Sequence, residues 1–156
     1  MKGSNTIIKH LNDLLAGELT AIDQYLIHSR MYEDWGYNKL FERIKHEHEE
    51  ETLHATSLIQ RIMFLEGTPD LGKRKPEIKV GNNVPKMLKN DLELEYLVVD
   101  HLREVIAVCE EKQDYETRKV LQVLLNDTEE DHAYWLEQQL GLIENIGLKR
   151  YLQSQM

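Results

Sequence analysis

Four stretches of this chain carry apolar residues at helical spacing, and a glutamate interrupts each of the four stripes near its middle. The first stripe runs Leu11, Leu15, Glu18, Ile22 and Tyr25, and the second runs Leu40, Ile44, Glu47, Glu51, His54, Leu58 and Leu65. The third is Leu88, Leu92, Glu95, Val99, Leu102, Ile106 and Cys109, and the fourth Leu125, Glu129, His132, Leu136, Leu140 and Ile143. These steps of three and four residues are those of amphipathic helices. A carboxylate buried alone is costly and is normally protonated or paired. Four of them with two histidines, and no lysine or arginine at their level, form an anionic core that a multivalent cation would neutralise. The fold must therefore bring the four stripes face to face.

Punctuation along the chain says how. The only prolines, Pro69, Pro76 and Pro85, fall in one stretch and leave the rest free to be helical. A first helix is expected from about Thr6 to Trp35, closed by Gly36 as a C′ glycine. A second runs from about Asn38 to Leu65 and breaks at "EGTPDLGKRKP". After the link "GTPDLGKRKPEIKVGNN", Pro85 opens a third helix that reaches about Lys112. Asp114 is the expected N-cap of a fourth, which ends near Gly147, and "LKRYLQSQM" supplies one short terminal helix. The tight connections at residues 36–37 and 113–114 make two antiparallel hairpins. The long link becomes a crossover running the length of an all-α bundle, which is ferritin-like connectivity.

Composition narrows the function. With 156 residues, the chain suits one domain, 1–156. At 41% hydrophobic and 30% charged residues it reads as a soluble globular protein. No apolar run approaches the roughly 18–20 residues of a membrane span, and "MKGSNTIIKHLNDLL" lacks the apolar region of a signal peptide. Cys109 is the only cysteine, so intramolecular disulfides are excluded and a cytoplasmic location is expected. A net charge of −9 without a basic stripe argues against nucleic acid and suits cations.

The polar positions repeat. Glu18 and Glu51 stand 33 residues apart, Glu95 and Glu129 stand 34 apart, and each second carboxylate opens a Glu-x-x-His. Carboxylate and imidazole then share one helical face. A single Glu-x-x-His arises by chance in acidic helices, and "EDHAYW" alone reads equally as a solvent-facing turn with a core tryptophan. Two such motifs, each paired with an upstream buried glutamate, match the pattern of di-iron carboxylate bundles. Such oxygen and nitrogen donors suit Fe²⁺ and Mn²⁺, with Zn²⁺ also possible.

"LLAGELTAIDQYLIHSRMYEDWG", "HEEETLHA", "RIMFLEGTP", "DLELEY" and "EEDHAYWLEQQLGLIENIGLKRYLQSQ" resemble, in order, the helices of the bacterioferritin family. The resemblance covers essentially the whole chain. It implies that Glu18, Glu51, His54, Glu95, Glu129 and His132 are ferroxidase ligands, with Glu51 and Glu95 bridging and Glu18 and Glu129 terminal. It further implies a cage of twenty-four subunits that stores ferric mineral, with Tyr25 beside the ligands; a core tyrosine with a satisfied hydroxyl explains Tyr25 equally well. His46 and Glu50 match an inner-surface iron site of some family members, on a face different from that of Glu51 and His54; a solvated pair explains them as well. Glu47 is placed beside the centre or on the route inward, without a role.

One position departs from the family. Bacterioferritins hold haem through a methionine directly after the bridging glutamate of the second helix, and here that residue is Thr52. A hydroxyl is a poor haem-iron ligand, so an ordinary bis-methionine haem b is not expected in a homopolymer of this chain. The pattern is that of the haem-poor A-type subunits, also classed as bacterial ferritins, some of which co-assemble with a haem-binding partner. His48, one turn before Thr52, offers an imidazole or is simply interfacial. Iron release to a bacterioferritin-associated ferredoxin is implied by the resemblance, although Thr52 alters the seam where it docks.

The expected reaction is oxidation of two Fe²⁺ by dioxygen or hydrogen peroxide. The product either leaves for the cavity or stays as a cycling cofactor. Two other readings compete: a ferritin-like di-metal oxidoreductase such as a peroxidase or manganese catalase, and a non-enzymatic haem-binding or structural bundle.

Overall fold

The computed structural model describes residues 1–156, and every regular element in it is helical. The chain forms α1 (Asn5–Trp35), α2 (Asn38–Phe64), α3 (Val84–Glu111) and a fourth rod made of α4 (Tyr115–Asn126), a π-helical turn (Asp127–Ala133) and α5 (Tyr134–Ile146). A short α6 (Leu148–Ser154) follows. The expected boundaries hold to within one or two residues. Gly36 closes α1 in the left-handed region at φ 81°, where glycine carries no Cβ penalty. The Asn83 side chain accepts from the Lys86 amide to start α3, with Pro85 in its first turn, and Asp114 accepts from the Thr117 amide to start α4.

α1 pairs with α2, and α3 with the fourth rod, as two antiparallel hairpins joined by the crossover. The crossover is fastened to α1 along its length. Asn12 donates to the Thr68 carbonyl at 3.1 Å, and Thr20 to that of Pro76 at 2.7 Å. The Lys79 amide donates to Gln24 at 2.9 Å, and the Gly81 amide to Nε2 of His28 at 3.1 Å. His28 Nδ1 and Gln24 Nε2 both meet Oδ1 of the fully buried Asp91 at 2.8 Å. This network ties the crossover to α1 and α3 inside the protein.

The apolar core is divided. One cluster gathers Leu11, Leu15, Leu58, Ile62, Leu102 and Leu121, and Cys109 packs within it. The other gathers Tyr25, Leu40, Ile44, Leu88, Leu136 and Tyr151, the last contributed by α6. Burial pushes the Cys109 thiol up to about 11, as befits an inert packing residue. Glu18, Glu51 and Glu95 belong to neither cluster and are 1% exposed.

Candidate metal centre

Five of the six expected ligands converge. Glu18 comes from α1, Glu51 and His54 from α2, Glu95 from α3 and His132 from the π turn, and all are buried. They form two sets, Glu18–Glu51–His54 and Glu51–Glu95–His132, each with ligand atoms within 4.8 Å of one another. Glu51 belongs to both. Its Oε2 lies 3.5 Å from His54 Nδ1, and its Oε1 lies 2.9 Å from His132 Nδ1. Glu18 Oε2 stands 3.8 Å from His54 Nδ1, and Glu95 Oε1 stands 3.6 Å from His132 Nδ1. The two imidazoles stack, with centroids 5.5 Å apart and planes at 16°.

The outer nitrogens also face carboxylates: His54 Nε2 hydrogen-bonds Asp127 at 3.1 Å, and His132 Nε2 lies 2.8 Å from Glu47. Such partners fix the orientation of metal-binding histidines. The Tyr25 hydroxyl donates to Glu95 and limits that carboxylate's rotation. The donor set fits a cation because its inner atoms lack other partners. Both oxygens of Glu18, Oε2 of Glu51, Oε2 of Glu95 and Nδ1 of His54 are buried without a hydrogen bond.

Protons occupy the positions that a cation would take. Burial and the Glu51 charge push the Glu18 carboxyl up to about 8. Burial and the Glu95 charge oppose ionisation of Glu51, but the close approach of Glu18, His132 and His54 outweighs them and holds it below the usual range. Burial favours neutral His54, yet Glu18 and Glu51 raise it to about 11. His132 is raised further, as Glu47, Glu51 and Glu95 overcome its burial. Each of these protons is displaceable by metal.

Glu129 does not join the cluster, against expectation. On the fourth rod the buried line runs through Leu121, Leu124, Thr128, His132 and Leu136. Glu129 falls between faces, one-third exposed, and Oε1 accepts from Arg103 of α3 at 2.5 and 3.1 Å. It lines an outer groove of about 480 Å³ with Tyr96, Asp100, Arg103 and Glu137. The expectation of no arginine at this level is corrected too, since Arg43 Nη2 lies 2.7 Å from the buried Glu47 and Arg103 holds Glu129.

His46 and Glu50 pair at 3.2 Å on α2, half-exposed and partly exposed respectively. Glu50 is less separate from the centre than the spacing implied, because Glu50, His54 and Asp127 also bring ligand atoms within 4.8 Å. Thr52 is exposed and donates to the His48 carbonyl at 3.0 Å. The buried role of Glu47 went unassigned, although it lies on the second stripe one turn before Glu51. Asp127 and Asp131 gave no periodic signal.

Fold and site together define a four-helix bundle with a buried carboxylate–histidine centre able to hold metal. The family described as Ferritin, Ferritin-like domain, matches residues 8–146. The chain is 60% identical to the bacterial ferritin of Synechocystis sp. over 156 residues, covering 100% of this chain and 99% of that one. It is 57% identical to the bacterial ferritin of Pseudomonas aeruginosa, covering both chains completely. It is 41% identical to the bacterioferritin of Brucella melitensis over 97% of this chain and 92% of that one. The chain belongs to the ferritin family, within its bacterial ferritin and bacterioferritin branch. No helix is long and apolar enough to cross a membrane.

Proposed function

We propose that this protein is an iron-storage ferroxidase: it takes two Fe²⁺ at the Glu18, Glu51, His54, Glu95 and His132 centre, promotes their oxidation, and holds the ferric product in a cage of twenty-four subunits. The observation that carries this reading is Glu51, one carboxylate facing a histidine on each of its two oxygens. Two Fe²⁺ give up two electrons, which with two protons convert dioxygen to hydrogen peroxide, or hydrogen peroxide to two waters. The chain's task is to hold both substrate ions at once, exclude bulk water and release the ligand protons. Carboxylate-rich ligation favours the ferric state and so drives the oxidation.

Aerobic Fe²⁺ titration followed by ultraviolet absorbance tests the reading, with rapid oxidation of about two Fe²⁺ per subunit expected from the two ligand sets. Size-exclusion chromatography tests storage, because a small oligomer would overturn the cage and favour a non-storing oxidoreductase.

Glu129 serves as a sixth ligand by leaving Arg103. An exposed ion pair of this kind is worth about 0.2–1 kcal/mol, so Arg103→Gln is expected to tighten Fe²⁺ half-saturation by about 1.4- to fivefold. Unchanged half-saturation in stopped-flow oxidation would remove Glu129 from the ligand set.

Haem binding depends on Thr52. The purified homopolymer is expected to show no haem absorption after haem addition, and Thr52→Met to gain it, since a thioether replaces a hydroxyl on the same exposed helical position. Strong haem uptake by the unaltered chain would point instead to His48.

A further inference from the structure

The two histidines of the centre turn their outer nitrogens toward different surroundings, and the surroundings of His132 are the less explained. Glu47 on α2, Asp131 on the π turn and His132 bring ligand atoms within 4.8 Å of one another. This is more than an acidic cluster. Glu47 is 2% exposed and His132 1%, and neither Oε atom of Glu47 nor Nε2 of His132 has hydrogen-bond geometry to any partner. Nε2 nevertheless points at Glu47 Oε2 from 2.8 Å. Beyond them stands Arg43, one turn before Glu47, with Nη2 2.7 Å from Glu47 and 2.9 Å from the exposed Asp131. Its guanidinium also lies over Trp135, 4.8 Å from the ring centroid. A positive group thus already sits between the two carboxylates, on the solvent side of the histidine.

We propose that Glu47, Asp131 and Nε2 of His132 form a third divalent-cation site, for which Arg43 is the displaceable lid. The donor set of two carboxylates and one imidazole suits Fe²⁺, Co²⁺ or Zn²⁺. An ion entering from the Asp131 side replaces the Arg43 charge, and the guanidinium stays parked on Trp135. A neutral imidazole has one lone pair to offer. His132 therefore binds an ion through Nε2 while its proton sits on Nδ1, or through Nδ1 while its proton sits on Nε2. The outer site is a waystation that empties as the inner pair fills. This role in transit rests on the inner centre proposed above; the existence of the outer site does not.

Co²⁺ is the probe. In the unaltered protein two tight ions per subunit are expected at the inner centre by equilibrium dialysis and visible d–d absorption. A Glu18→Gln, Glu51→Gln variant loses that pair, while the amide oxygen at position 51 can still accept from Nδ1–H and leave Nε2 free. This variant is expected to keep one weaker Co²⁺ per subunit. Adding Asp131→Asn abolishes that ion, and adding Arg43→Gln tightens it by about 10–100-fold, the scale on which neighbours of metal ligands act. If the double variant binds no Co²⁺, or binds it indifferently to Asp131→Asn and Arg43→Gln, the outer site does not exist. Absence of the tight pair in the unaltered protein is a different failure, that of the inner centre. Arg43→Gln in the otherwise unaltered chain gives a second arm if the double variant does not fold. Anomalous scattering from Co²⁺-soaked crystals of the double variant is expected among Glu47, Asp131 and His132, and its absence there would overturn the proposal.

Discussion

Glu51→Ala is expected to abolish rapid Fe²⁺ oxidation, whereas Glu18→Ala leaves a slower residual reaction. The difference follows from how many ligand sets each residue serves. Glu18 belongs to the His54 set alone, while Glu51 belongs to both. Without Glu51 neither histidine retains its shared carboxylate, and the two substrate ions are no longer held side by side. Residues that merely support metal ligands cost about 10–100-fold in affinity or activity when removed, so loss of a ligand common to both ions is expected to cost at least about a hundredfold. The second consequence is thermodynamic. Bound metal stabilises a fold by mass action, by about 4 kcal/mol at a thousand times the dissociation constant. Zn²⁺ is therefore expected to raise the melting temperature of the unaltered protein much more than that of Glu51→Ala, which keeps only the weaker outer donors. The metal-free variant is also expected to melt earlier, because removing one partner of a buried charge pair costs about 3–5 kcal/mol. Stopped-flow absorbance and paired melting curves check both. A Glu51→Ala protein that oxidises iron as fast as Glu18→Ala would show that the shared carboxylate is not the organising ligand.

The elements and most of the centre were readable because periodicity and caps speak directly of local structure. Gly36, Asp114 and Pro85 mark boundaries for reasons of backbone geometry that no neighbour alters. Glu18, Glu51, His54, Glu95 and His132 were found because costly residues stood where apolar ones belong. The position of Glu129 outside the cluster has a definite origin. The expected stripe starts from Leu125, which is only partly buried, whereas the buried line runs through Leu121, Leu124 and Thr128 and leaves Glu129 one position off it. π turns occur disproportionately at functional sites, but the one at Asp127–Ala133 has no sequence mark comparable to a proline. Arg43 and Arg103 were missed for another reason. Long side chains reach a buried carboxylate from a surface position, so a stripe drawn from backbone positions cannot exclude them. The buried Asp91 with His28 and Gln24 was legible in principle, since Asp91 lies one turn before Glu95. His28 in turn accepts from the crossover backbone at Gly81, and that pairing depends on tertiary folding alone.

Raising the pH from about 6.5 to 8 is expected to lower the melting temperature of chelator-treated protein while widening the increment that Zn²⁺ confers. The Glu18 carboxyl titrates near 8 in the folded chain against an ordinary value of 4.5, so the fold binds a proton there that the unfolded chain has released. That contribution is complete below the ordinary value and is lost as pH rises through the folded one. His54, raised to about 11 from an ordinary 6.5, acts in the same direction, fully present below 6.5 and declining above it. His132 is raised as well and adds to the slope. Glu51, held below its ordinary range, works oppositely, but only in acid, where its contribution disappears as pH falls. Across the interval from 6.5 to 8 the metal-free fold therefore loses stability with rising pH. Metal reverses the dependence on these same groups, because an ion must expel the protons of Glu18, His54 and His132 to bind. Each proton displaced makes binding about tenfold tighter per pH unit. Melting curves at fixed Zn²⁺, with twins in chelator, and titration calorimetry in buffers of different ionisation enthalpy measure the two slopes independently. A Zn²⁺ increment that stays constant over this interval, with no proton release on binding, would mean that the ion binds somewhere other than among these buried acids and imidazoles.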